Sequence, residues 1–153
     1  MDLRNITKIT RNMTLYKNTI NRGKEYLNDT EFEMVRYVTK REKRSLVEVA
    51  NYLNVDKGLV TRMYKKLVGL GYLEVKSDEN DSRKKILVTT PKAKEIKDEI
   101  ATEEIDFYNA CVKNLSLEEI NQLDALIEKV YLESKKLRKN GFKGVIDEKD
   151  SIR

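Results

Sequence analysis

The apolar residues of the first segment, Leu3, Ile6, Ile9, Met13, Tyr16 and Ile20, recur at intervals of three and four. That spacing gathers them on one stripe of an amphipathic helix, predicted to end near Gly23. Thr30-Glu-Phe-Glu33 has the form of a capping box, in which the threonine hydroxyl takes the amide three residues on and Glu33 returns to the threonine amide. A helix through about Lys40 follows, with Phe32, Val35 and Val38 facing inward. Ser45-Leu-Val-Glu48 repeats the box and opens a short helix containing Val47, Ala50 and Leu53. Beyond Asn54-Val55, Asp56 can cap a third helix, where Val60, Met63, Tyr64 and Leu67 keep the period until Gly69-Leu-Gly71 stops it. Two short helices joined by a tight turn, with small Ala50 at their crossing, satisfy a helix-turn-helix, although any αα-hairpin reads similarly.

After Gly71 the apolar pattern alternates. Leu73 and Val75 share one face of a strand, Ile86 and Val88 one face of a second, and polar residues between them supply a loop. Thr90-Pro91 gives a cap followed by proline at the first helical position, restarting a helix. Ile96, Ile100, Ile105, Tyr108, Val112 and Leu115 fit one long helix, with a bend or register change near Thr102. Ser116-Leu-Glu-Glu119 caps another, carrying Ile120, Leu123, Ile127, Val130, Tyr131 and Leu137. Residues 140–153 have no clear period and read as a loose tail.

Composition narrows what such a chain does. Its 153 residues suit one domain, or one with an appended arm. No apolar run is long enough to span a membrane, and MDLRNITKITRN lacks the apolar middle of a secretory signal, so a cytoplasmic protein is expected. Cys111 is the only cysteine, which excludes an internal disulfide. Histidine is absent, which removes the commonest general base and metal ligand. No catalytic site, metal site or cofactor is expected. Of the net charge of +5, the segment 57–92 alone carries +5, while residues 93–128 hold three positive and ten negative charges. The middle of the chain suits a polyanion and the following block does not.

The pieces SLVEVANYLNVDKGLVTRMYKKLVGLGYL and NDSRKKILVTTPKAKEI carry a family pattern: an E-[LV]-A step, D-K-x-x-V-T-R, a closing G-[YL]-[IL], a D-x-R-[RK] hairpin and its exit into a helix. In this order, flanked by helices at both ends, they resemble the MarR (multiple antibiotic resistance regulator) family of winged helix-turn-helix transcription regulators. Leu59 stands where the family commonly has a small polar residue, and Ala93 or Lys94 where it often has glycine. The resemblance implies a mainly α fold with a small β-hairpin wing, arranged as one domain over residues 1–153. Residues 28–92 would form the winged lobe, and 1–27 and 93–139 the dimerisation helices.

In that layout the third helix enters the DNA major groove. Lys57, Gly58, Leu59, Thr61 and Arg62 approach base edges or phosphates, while Lys65 and Lys66 neighbour phosphates or simply face solvent. Arg83 matches the family's minor-groove arginine and Asp81 the carboxylate that braces it, although Asp81 can also make an Asx-turn. Lys84 and Lys85 add phosphate contacts. The resemblance further implies a homodimer on a pseudo-palindromic operator, a repressor released by a small lipophilic or phenolic effector. Tyr16, Tyr37, Phe107 and Tyr108 are candidates to line the effector cleft or to serve as core. Cys111 is expected as a buried small side chain rather than a redox sensor. A winged-helix module that binds another protein, without specific DNA binding, is the alternative.

Overall fold

A computed structural model of the chain describes residues 2–21, 25 and 27–151. Two compact units emerge, Met1–Phe107 and Tyr108–Arg153, a division that falls inside the expected second dimerisation segment. In the first, α1 (Arg4–Ile20), α2 (Asp29–Arg41), β1 (Lys43–Ser45), α3 (Leu46–Leu53), α4 (Lys57–Gly69), β2 (Leu73–Ser77) and β3 (Lys85–Thr89) lead into α5 (Pro91–Cys111). The second contains α6 (Leu117–Lys139) and α7 (Lys143–Ser151). No helix among the described residues is long and apolar enough to cross a membrane. The expected stop of α1 near Gly23 lies outside the described residues.

Local chemistry sets most helix starts. Ser45 takes the Glu48 amide at 3.2 Å and Ser116 that of Glu119 at 3.2 Å, each with the glutamate returning to the cap amide. Asn54 leaves α3 in the left-handed region at φ 53°, and Asp56 caps α4 through the Leu59 amide at 2.8 Å. Gly71, at φ +83°, makes the turn out of α4. Thr90 has a double role: its hydroxyl donates to Gly71 O at 2.8 Å and accepts the Ala93 amide at 3.2 Å. Ala93 is fully buried there, so only a small side chain fits.

The start of α2 differs from the expected box. Asn28 is the cap, its Oδ1 taking the Glu31 amide at 2.9 Å, and Glu31 is the returning carboxylate. Glu33 is instead engaged by Tyr52 Oη at 2.6 Å and by Arg36, which ties α2 to α3. That contact with Glu33 raises the Arg36 pKa further above its ordinary value.

The core lies where α2, α3, α4 and the sheet meet. Met34, Val35 and Val38 of α2, Val49 of α3, Val60, Met63 and Leu67 of α4, Leu73 of β2 and Leu87 of β3 are buried. Each large side chain removed from water contributes roughly 1.5–3 kcal/mol. Val47 is not among them and is 59% exposed; Val49 is the buried valine of α3, with Leu46, Ala50 and Leu53 packed beside it. Phe32 is only half-buried.

The sheet has one strand more than expected. β1 pairs antiparallel with β3, which pairs antiparallel with β2, in the order β1-β3-β2. Leu87, opposite Val75, is the core residue of the central strand, while Ile86 and Val88 lie half-buried on its other face. A strand covered in part on both faces carries three consecutive apolar residues, which defeats a reading by strict alternation.

In the second unit, α5 having ended at Cys111, Leu115 donates to Val112 O at 2.9 Å in a turn before α6. The tail expected to be loose carries α7. Gly141 and Phe142, both at positive φ, reverse the chain, and Phe142 N donates to Leu137 O at 2.7 Å.

Candidate nucleic-acid interface

The cap on Asp56 aims the first turn of α4 outward. Lys57 and Gly58 are exposed, and a Cβ added at Gly58 would stand 3.1 Å from Asp56 Oδ1, pressing on the cap. Thr61 donates its hydroxyl to Lys57 O at 2.8 Å, keeping an acceptor lone pair outward. Arg62 and Lys65 are exposed.

The wing is built by its own turn chemistry. Lys84 N donates to Asp81 O at 3.0 Å, and Asp78 N donates to Lys84 O at 2.9 Å, closing the tip. Asp81 Oδ1 takes both the Arg83 amide at 3.0 Å and Arg83 Nε at 3.4 Å. Asx-turn and brace therefore coexist on one oxygen, and the Arg83 side chain still stands 92% exposed. Lys85 is held more closely, donating to Tyr64 Oη of α4 at 3.2 Å.

A trench separates α3 and α4 from the wing, and Lys57, Thr61, Lys65, Arg83, Lys84 and Lys85 all line it. Five cations against the carboxylates of Glu48 and Asp78 make its field positive. Leu59, Arg62 and Lys66 lie on the other flank of α4, in a groove against the start of α2. Leu59 packs partly on the core, so less of it is available for a base, and Lys66, exposed as expected, is also ion-paired to Glu31 at 2.8 Å.

The start of α3, from Ser45 to Glu48, also lines the trench and was not anticipated. Its signal was readable: Leu46, Val49, Ala50 and Leu53 form a better helical stripe than one through Val47, which leaves Val47 and Glu48 facing the trench.

Residues 27–93 match the family model described as "Winged helix DNA-binding domain". Solved structures similar over most of the chain include the MarR protein from Peptoclostridium difficile DA00132, at 29% identity, covering 92% of this chain and 90% of that one, with a TM-score of 0.61. The reduced form of MarR from E. coli shares 24% identity over 85% of this chain and 96% of that one, with a TM-score of 0.70. A MarR transcriptional regulator from Methanosarcina mazei Go1 shares 19% over 88% and 96%, with a TM-score of 0.65. Its fold is that of the MarR family regulators. No curated protein sequence matches it significantly. With a winged-helix DNA-binding domain and this likeness in fold, the chain is a DNA-binding transcription regulator.

The chain also has a cleft between α1, α2 and α5, lined by Thr14, Lys17, Asn21, Leu27, Phe32 and Ile100 among others. Its free volume is about 60 Å³, against roughly 300 Å³ for the smaller ligand sites of proteins, so a phenolic occupant requires its walls to part. None of the four aromatic residues expected at such a cleft lines it. Tyr16 packs on Phe107 with ring centres 5.6 Å apart, Tyr37 stacks on Tyr52 at 3.9 Å, and Tyr108 is exposed. Beside the cleft, Glu25 accepts from Tyr72 at 2.7 Å and from Lys92 at 3.2 Å, bonds that lower its pKa. Cys111, expected to be buried, is exposed at the end of α5.

Proposed function

We propose that the chain is a homodimeric, sequence-specific repressor that binds a pseudo-palindromic operator. The observation that carries this reading is the positive trench shared by α4 and the wing. Lys57, Gly58, Thr61 and Arg62 would face the major groove, with Leu59 adding a small apolar contact. Arg83, braced by Asp81, would enter the adjacent minor groove, where a narrow and negative channel attracts a guanidinium. Lys65, Lys84 and Lys85 would meet phosphates.

Dimerisation is supported by apolar side chains exposed among the described residues, chiefly Leu123, Leu126, Ile127, Val130 and Tyr131 on α6 and Leu3, Ile6 and Ile9 on α1. Two copies would present two α4 helices to half-sites about one helical turn apart. A small lipophilic or phenolic effector that opened the cleft between α1, α2 and α5 would favour a different lobe position and release DNA.

Fragments of the source genome, titrated at rising salt, decide between this and a protein-binding winged helix. A preferred fragment is expected, with a log-log salt slope of about −0.9 per phosphate neutralised. Equal affinity for every fragment and for random duplex at physiological salt would sink the proposal.

A further inference from the structure

α4 is seated by apolar contacts from Val60, Met63 and Leu67, and such contacts are non-directional: they fix its depth better than its rotation. Polar contacts hold its two flanks. On the wing side the Tyr64 hydroxyl takes Lys85, and on the other side Lys66 reaches Glu31 of α2. The Glu31 side chain is only 8% exposed, and both of its oxygens are occupied. Oε1 accepts from Asn28 Nδ2 at 3.0 Å and Lys66 Nζ at 2.9 Å; Oε2 accepts from Lys66 Nζ at 2.8 Å and the Asn28 amide at 3.4 Å. The carboxylate that closes the α2 cap is therefore the same one that grips α4. Lys57, Arg62 and Lys65, by contrast, make no ion pair among the described residues.

We infer that Glu31 is a positioning residue for DNA reading: through Lys66 it sets the rotation of α4, and so which side chains meet the base edges, without touching DNA itself. This rests on DNA being read by α4. A buried carboxylate stripped of its cation is costly, so the pair resists exchange with a phosphate. Lys66 then acts as a fixed strut, and its charge adds little to the neutralisation of phosphates.

Binding of Glu31→Gln, Lys66→Met and the double variant to the preferred fragment and to random duplex, across a salt series, separates this role from a phosphate contact. Each single change is expected to weaken preferred-fragment binding about tenfold, the effect of one lost charged hydrogen bond. Random-duplex binding and the salt slope should stay near wild type, the double variant should be no weaker than either single one, and Lys66→Arg should restore most of the preference. Glutamine keeps the size and polarity of Glu31 and methionine the stem of Lys66; should Glu31→Gln unfold, the Lys66 variants alone still distinguish a strut from a phosphate ligand. A salt slope smaller by about 0.9 in Lys66→Met, with tighter binding by Glu31→Gln, would overturn the inference and make Lys66 a phosphate ligand. Wild-type preference kept by both single variants would overturn it as well. Absence of preference in the wild type would remove the DNA reading itself, and this inference with it.

Discussion

Asp81 receives the Arg83 backbone and the Arg83 guanidinium on one oxygen, so folding the turn and aiming the arginine are a single event. An arginine held in this way loses less side-chain freedom on binding, a saving of about 0.5–1.5 kcal/mol. Arg83→Ala is expected to weaken operator binding by at least about 1 kcal/mol, the size of a lost charge-assisted contact. Asp81→Asn keeps an oxygen for the Arg83 amide but loses the charge that draws the guanidinium, so it should weaken binding less. Once Arg83 is gone, Asp81→Asn should do little. A double-mutant cycle measured by fluorescence anisotropy checks this; additive losses would separate the two residues. Their contact was legible in the sequence because turn and ion pair act over two residues. Lys66 and Lys85 were not, because their partners, Glu31 and Tyr64, lie 35 and 21 residues away.

Helix starts show the same division between local and distant causes. Ser45, Asp56, Thr90 and Ser116 cap the helices that the sequence placed behind them, since a cap is settled within four residues. At α2 two overlapping boxes were available, one on Asn28 with Glu31 and one on Thr30 with Glu33. Distant partners bear on both: Lys66 holds Glu31, and Tyr52, together with the neighbouring Arg36, holds Glu33. Asn28→Ala should therefore cost about 1–2 kcal/mol of stability, whereas Thr30→Ala, at an exposed position inside the first turn, should cost well under half of that. Urea unfolding of the two variants, compared at equal m-values, measures the difference, and equal losses would contradict the assignment of the cap. β1 escaped the sequence reading for a related reason. Three residues carry no period, and Lys43–Ser45 becomes a strand only because β3 offers a free edge.

On the scale of the molecule the winged lobe was legible because its core closes on itself, leaving a surface whose charges could be read directly. The α6 segment is different: it carries an apolar stripe among many charged residues, yet none of its described residues is buried. Leu123, Leu126, Ile127, Val130 and Tyr131 follow the spacing of a single helical face, and each is more than 40% exposed. A stripe of that length left in water is unfavourable, and a second copy of the same face covers it at no cost in new chemistry. If the stripe is the dimer contact, a charge at its centre should separate the copies while leaving the winged lobe folded. Leu126→Glu is the informative change because Leu126 is 60% exposed in the single chain, so a carboxylate there burdens the monomer little. Sedimentation velocity is expected to give a dimer for the wild type and a monomer for the variant at micromolar concentration. Operator affinity should fall by about 10² or more, because the second half-site is no longer bound from the high effective concentration that a joined partner provides. Binding to an isolated half-site should be unchanged. A wild-type monomer that binds the full operator as tightly as the half-site arithmetic requires of a dimer would remove the two-fold assembly and leave a single lobe reading DNA alone.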